Sequence, residues 1–437
     1  MQRQYEKPPS VRIADADKSA FFASGLEYNT PARGMWNIVH MAMLVPEAHQ
    51  VYVCAQGCLR GVILTAAEMN ALDRMSWISV SEADMYDGTL ETDIIDGTAE
   101  IMRKLKKQPP VVMLTLSCIH LFAGCDFEMI LRELHEQFPE TVFVDCYMTP
   151  TMRTTISPVV KMNAQIYAAL PVPEKIKPKA VNIIGCDRAT DSQSELVKLI
   201  GAAGWALHEI QHCRSFAEYQ GMAESALNIT YIPAAKYAGE TLAERLGTAH
   251  LYLPVSFDYD EIAAHYHTLC DALHIACPDF SAEKAAAEQA LSALYAEIGN
   301  IAIAIDFTAV TRPFELAWLL ISHGMQVKYI IADAVGEDGA AYDKLKAHCP
   351  ELEIFAATNV NMLHHHETAA EPVLAIGQKA AYYFAADRFV NIVTNGGYYG
   401  FSGICAIAGL LADAYRNPKD RKAILRHKGF GCESCLM

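Results

Sequence analysis

The chain has 437 residues, 52% of them apolar and 20% charged, so it can bury a sizeable core and is too long for a single one. A formal net charge of −16, from 35 basic against 51 acidic residues, argues against nucleic acid or an anionic membrane as partner. No apolar run approaches a membrane span, and the polar start Met1–Ser10 lacks a signal-peptide core, which points to a cytoplasmic protein.

Taken in chain order, the first twenty or so residues read as an arm or docking segment. Strand-like runs then alternate with helical ones, the pattern of parallel α/β units. A first group holds Gln50–Val53, Val111–Leu116 and Val142–Cys146. The proline-rich stretch Pro171–Pro178 breaks the pattern as a linker does. A second group follows, with Ala180–Ile184, Ala206–Ile210, Asn228–Ile232 and His250–Val255. The alanine-rich helix Ala282–Ile298 leads into a third group: Ile301–Ile305, Val327–Ile331, Leu352–Ala356, Val373–Ile376 and Arg388–Val393. The predicted fold is α/β, with three Rossmann-like domains built on parallel sheets over residues 1–175, 176–298 and 299–437.

There are 13 cysteines, which in a reducing compartment are thiols or metal ligands rather than disulfides. Cys146, Cys270, Cys349 and Cys405 read as small core hydrophobes. Two stretches stand apart: Cys54-Ala55-Gln56-Gly57-Cys58, and Cys118 with Gly124-Cys125-Asp126. Cys118 follows the apolar run Pro110–Leu116 and precedes the amphipathic helix Phe127–Phe138. A thiol at the carboxyl end of a parallel strand, facing a helix N-terminus, occupies the crevice where open α/β sheets hold ligands. The helix dipole there favours thiolate and offsets the charge of a metal–sulfur cluster.

These motifs, in this order, resemble the component 1 superfamily of nitrogenase. That superfamily includes the molybdenum–iron protein subunits, their assembly-scaffold paralogues and the dark-operative protochlorophyllide and chlorophyllide reductases. The resemblance covers nearly the whole chain at low similarity. It is carried by Gln56-Gly57-Cys58, by Glu91-Thr92-Asp93-Ile94-Ile95-Asp96-Gly97, and by Cys118 with Gly124-Cys125-Asp126. Val181-Asn182-Ile183-Ile184-Gly185 and the turn Gly396–Gly403 before the helix Ile404–Ala414 also look like their family counterparts. The resemblance implies a nitrogenase component 1-like fold and an iron–sulfur cluster at a subunit interface, with Cys58 and Cys118 as metal ligands. It also implies an ATP-dependent iron–sulfur reductase as electron-delivering partner.

The departures are informative. The family supplies three cysteines per subunit, and the first would fall near Ala32 and Arg33 here. Two thiolates cannot complete the ligation of a 4Fe–4S cluster, but two copies across a two-fold axis can, as can a related second subunit. Cys54 and Cys125 lie beside the expected ligands, and either is a candidate for the missing cysteine. The family holds its iron–molybdenum cofactor with a Cys of the second domain and a His of the third. Asn228–Gly239 has no cysteine and Phe389–Asn395 no histidine, so that cofactor is not expected. Candidates to line an interdomain cavity are His208, His212, Cys213 and His364, His365 and His366. His265 and His267 read as helix surface.

The glycines of Gly396–Gly403 offer bare amides to an anionic group, or form an ordinary tight turn. The tail Cys432-Glu433-Ser434-Cys435 is a lone CxxC, suited to a redox relay, a metal clip or a mobile end. Neither a Walker A sequence nor a GxGxxG after the first strand of any domain occurs, so neither P-loop ATP binding nor nicotinamide binding is expected. The expected function is a nitrogenase-like reductase component acting on a substrate in an interdomain cavity. The alternatives are a scaffold that assembles a metallocofactor, or a metal or small-ligand binding protein.

Overall fold

The computed structural model describes residues 9–421, 423 and 424, apart from 29, 31, 33–37, 150–155 and 366–370. Three sheets divide the described strands. The first contains β2 (Ala48–Ala55), β3 (Met75–Val80), β4 (Val111–Ser117) and β5 (Val142–Met148), all parallel in the order β3-β2-β4-β5. The second contains β6 (Lys177–Ile183), β7 (Ala206–His208), β8 (Ser225–Thr230) and β9 (Ala249–Tyr252), parallel in the order β7-β6-β8-β9. The third contains β10 (Ala302–Asp306), β11 (Gln326–Ile331), β12 (Glu353–Phe355), β13 (Val373–Ile376) and β14 (Arg388–Val390). A short β1 (Ser10–Arg12) joins its edge, giving β1-β12-β11-β10-β13-β14.

The elements follow from their sequences. β4 and β10 are buried along their whole length, as strands covered by helices on both faces must be, and apolar residues dominate both. β3 is an edge strand with Met75 and Val80 buried at its two ends and Trp77 half-exposed between them, and its short mixed pattern carries no strong strand signal. The N-terminal arm docks on the third sheet. β1 pairs antiparallel with β12, and Phe21 stacks on Tyr342 with ring centroids 5.7 Å apart.

Two buried polar junctions lock the second sheet's helices to those of the third. In the first, Glu195, 6% exposed, accepts from the Ser402 backbone N–H at 3.0 Å and from Tyr266 Oη at 2.8 Å. It thereby caps the helix Gly400–Arg416 with a carboxylate from another sheet's helix. The turn that might have held an external anion is thus filled by the chain's own side chain. The fit is close: a Cβ at Gly400, whose φ is +75°, would lie 1.7 Å from Tyr266 Oη. In the second junction, Arg312 donates to Glu261 at 2.6 Å and to Glu315 at 3.2 Å. Glu315 also accepts from the backbone N–H of Phe257 and from Ser256 Oγ. Beside them Asp338 accepts from the Phe314 N–H at 2.8 Å. His265 lies on this interface, half-buried against Tyr399 Oη at 3.4 Å, rather than on the helix surface expected for it; His267 is exposed.

Two outcomes follow. Replacing Glu195 by Ala strands buried donors and should cost about 2–4 kcal/mol of stability, read as a lowered urea midpoint. Burial pushes the Asp338 carboxyl from 3.8 up to about 8, with Glu315 pushing the same way and Arg312 opposing. A folded-state value above the unfolded one means that its contribution is present at low pH and lost as pH rises towards 8. The stability of Asp338→Asn relative to wild type should therefore rise with pH between 5 and 8, by at most about 1.4 kcal/mol per pH unit. A gap in urea midpoints that stays constant over this range would contradict the assignment.

Candidate functional site

Open parallel sheets bind ligands outside the carboxyl ends of their strands, where the strand order reverses. The first sheet reverses between β2 and β4, whose register sets Val53 beside Leu116. Past the end of β2 the helix Gln56–Glu68 begins, with Cys58 as its third residue, exposed. Past the end of β4 the helix Cys118–Ala123 begins on Cys118 itself, partly exposed. The thiol therefore starts a short helix of its own instead of facing the helix Phe127–Gln137 across a loop.

Cys54, the last residue but one of β2, is 1% exposed. Burial first, then Cys58 and Cys118, push its thiol up to about 12. Cys125 is turned elsewhere. It packs among Ile119, Phe127 and their neighbours, and burial followed by Glu91 pushes its thiol up to about 11. His120, fully buried, accepts from the Ser117 N–H at 3.2 Å and fastens the start of the Cys118 helix to β4. Desolvation keeps its imidazole neutral. Among the described residues no three His, Cys, Asp or Glu side chains converge on a single metal position. Tyr86, 93% exposed, and Phe122, 74% exposed, stand on the segments that follow β3 and β4. Exposed aromatic side chains beside exposed thiols suit a surface that another protein covers.

The second sheet reverses between β6 and β8, and there the crevice is plugged. The Gly185 N–H donates to Tyr167 Oη at 2.9 Å, and the buried Tyr231, Thr190 and Glu209 are hydrogen-bonded to one another.

The third sheet reverses between β10 and β13, and there the crevice is open. A cavity of about 540 Å³ lies over its carboxyl edge. Phe307 after β10, Asp333 after β11, Thr358 after β12 and Lys379 after β13 line it, together with Pro158 of the helix Pro158–Gln165 and residues 22–27. Asp306, fully buried, accepts from Thr308 and from the Lys379 backbone N–H at 2.9 Å. Burial raises its carboxyl and the Lys379 ammonium opposes the rise. Lys379 Nζ lies 5.7 Å from the Phe307 ring centroid and donates to the Ala357 carbonyl at 3.4 Å. Gly377, at φ +102°, is required here, because a Cβ would lie 2.7 Å from Ala309 Cβ and 2.8 Å from Asp306 Cβ.

Of the histidines proposed from sequence, the described ones, His208, His212 and His365, do not line this cavity. His208 is half-buried on the edge strand β7, and His212 is exposed 3.6 Å from Glu209. Cys213 directs its Sγ to the Glu209 carbonyl. His365 stacks on Phe355 with centroids 5.1 Å apart. The His364 side chain, His366 and the Cys432/Cys435 tail lie outside the described residues. Lys379 and Asp333, two of the polar residues that do line the cavity, were passed over in the sequence. Their one signal is position, each following an apolar strand within a few residues.

A thiol-labelling experiment under anoxic conditions checks the site geometry. At pH 7.5 Cys58 and Cys118 should react with iodoacetamide at least about tenfold faster than Cys54, because the thiolate is the nucleophile and Cys54 is both buried and protonated. Peptide mapping reads the order, and Cys54 reacting first would contradict this arrangement.

A family profile described as nitrogenase component 1 type oxidoreductase matches residues 38–414. Among solved structures, the chain is similar to one described as nitrogenase Cp1 at pH 6.5. That match has a TM-score of 0.68 and 14% identity, and covers 90% of this chain and 94% of the other. It is also similar to one described as nitrogenase Cp1 at pH 5, with a TM-score of 0.56, 10% identity and 93% of each chain covered. No curated protein matches the sequence. Among the described residues no helix is long and apolar enough to cross a membrane.

Proposed function

The chain belongs to the nitrogenase component 1 type oxidoreductases, and from that premise we propose that it is the substrate-reducing component of a two-component, cytoplasmic reductase. Cys58 and Cys118 hold part of an iron–sulfur cluster, which a second copy or a related subunit completes. When bound, the cluster supplies one-electron transfer. The electrons come from a separate iron–sulfur protein that hydrolyses ATP, since this chain has no P-loop sequence of its own. The substrate is reduced in the cavity over the third sheet.

One observation supports the reading: Cys58, exposed, and Cys118, partly exposed, lie in the first residues of the helices that follow the neighbouring strands β2 and β4 at their switch point. The donor set fits the group. Thiolates are the ligands iron–sulfur clusters take, and the start of the helix Gln56–Glu68 favours negative charge beside Cys58. Two donors per chain make half of a four-thiolate site, and the exposed Tyr86 and Phe122 supply apolar surface for the subunit that brings the other half. In the cavity, Lys379 presents a cation over an aromatic face, and Asp306 holds the Lys379 backbone in place.

Anoxic purification followed by iron and acid-labile sulfide analysis tests this. About two irons per chain, lost in both Cys58→Ala and Cys118→Ala, is the expected result for one cluster shared by two chains. Four or more irons per chain would require further ligands, with Cys125 and the Cys432/Cys435 tail next to vary. Folded, dimeric and iron-free protein would overturn the electron-transfer mechanism and leave a ligand-binding protein on the same fold.

A further inference from the structure

The cavity over the third sheet has a lining whose charged groups are engaged within the protein. Of its charged residues, Glu27 stands at the exposed rim, and Asp333 and Lys379 lie past the carboxyl ends of β11 and β13. Asp333 accepts from the Ala357 backbone N–H at 2.7 Å with one carboxylate oxygen and from Thr358 Oγ1 at 2.8 Å with the other. Lys379, 1% exposed, donates to the Ala357 carbonyl at 3.4 Å and stands over the Phe307 ring, while the neighbouring Asp306 accepts from its backbone N–H. Uncharged polar side chains are engaged in the same way. Ser157 accepts from the Val160 N–H at the start of the helix Pro158–Gln165, Asn359 accepts from the Asn361 N–H, and Thr311 accepts from Asn395 Nδ2 at 3.1 Å. What the lining offers a ligand is therefore mainly apolar: Phe22, Leu26, Pro158, Phe307, Pro313 and Val335. Leu26 stands at the mouth 78% exposed, where a bound apolar molecule would cover it.

We infer that this cavity takes an uncharged, mainly apolar small molecule, held by contact with these side chains and bounded on one side by residues 22–27. Its volume of about 540 Å³ lies in the range of pockets that hold small ligands. An ionised ligand would meet an ammonium and a carboxylate already matched to partners in the chain, so its own charge would leave water without a counter-charge. An apolar ligand gains by leaving water and disturbs none of those bonds. The inference deepens the proposed function by naming a substrate class, and it rests on the cavity of that reading and not on its cluster.

Two dyes that share one aromatic body separate the alternatives. N-phenyl-1-naphthylamine is uncharged, and 8-anilinonaphthalene-1-sulfonate is the same skeleton carrying a sulfonate. Titrated into the full chain and followed by fluorescence, the uncharged dye should bind at least about tenfold more tightly than the sulfonate. The cation 1-naphthylmethylammonium, with a similar ring, should compete as poorly as the sulfonate. Val335→Trp fills the cavity and should abolish binding of the uncharged dye; Ala334→Trp at the exposed rim takes its place if that variant fails to fold. Leu26→Ala should weaken binding by about fourfold or more, the worth of one buried methylene. Tighter binding of the sulfonate or of the cation would overturn the inference and leave a cavity for charged substrates. Undiminished binding in a folded Trp variant would overturn it by placing the dye elsewhere. Wild-type protein that binds none of the three would remove the cavity as a ligand site, a failure of the reading beneath the inference that iron analysis does not touch.

Discussion

Parallel pairing of β2 with β4 ties together two segments that the sequence keeps far apart. In an antiparallel sheet the ends of neighbouring strands point in opposite directions, and residues following the two would lie at opposite edges. Parallel pairing brings both carboxyl ends to one edge, and the reversal of strand order between them leaves a crevice there. The crevice receives Cys58 from one connection and Cys118 from the other. Neither thiol is placed by its local sequence alone. Buried apolar side chains on both layers of the first sheet hold the strands in register, so the chemistry at the edge draws its precision from packing below it.

The same topology is used three times with different outcomes. The first switch point is open and carries thiols, the second is filled by Tyr167, Tyr231, Thr190 and Glu209, and the third opens on the cavity. Bulky residues hydrogen-bonded to one another close the second. In the third, Gly377 lets the chain after β13 pass close to Ala309 and Asp306, where a Cβ would collide. A plugged crevice between two open ones also gives rigidity. Its aromatic side chains continue through Tyr231 to Tyr399 and Tyr266, and so to the Glu195 cap.

Much of this was legible in the chain. The buried strands of all three sheets announce themselves as apolar runs, and their alternation with helical periodicity fixes the α/β class. Strand β3 was missed because an edge strand need not be apolar on both faces, and β1 because three residues pairing with a strand over three hundred positions away leave no local trace. The sequence positions of Cys58 and Cys118 were legible because each cysteine follows a strand signal within a few residues. The relative standing of Cys54 and Cys125 was not, because both lie close in sequence to a proposed ligand and only burial and facing tell them apart. The histidines misled for a related reason. A histidine ring also serves as a flat core aromatic, as His365 does on Phe355, and nothing in the sequence distinguishes that use from a polar one.

The glycine turn shows how a local signal can be right in its physics and wrong in its partner. Gly396–Gly403 does present a helix N-terminus with uncovered amides, and it does attract a carboxylate. The carboxylate belongs to Glu195, two hundred residues earlier, and using it this way converts an anion site into a joint between the second and third sheets. A buried carboxyl group is tolerated where donors surround it, and here a backbone N–H and two hydroxyls do so. Removing any one of these donors leaves a buried polar oxygen without a partner and weakens the joint. The cavity over the third sheet has walls that belong to different segments, including Pro158 and residues 22–27, so its shape depends on joints of this kind holding the parts in place. Stability at the interface and geometry at the site are therefore one constraint, met by the same few buried side chains.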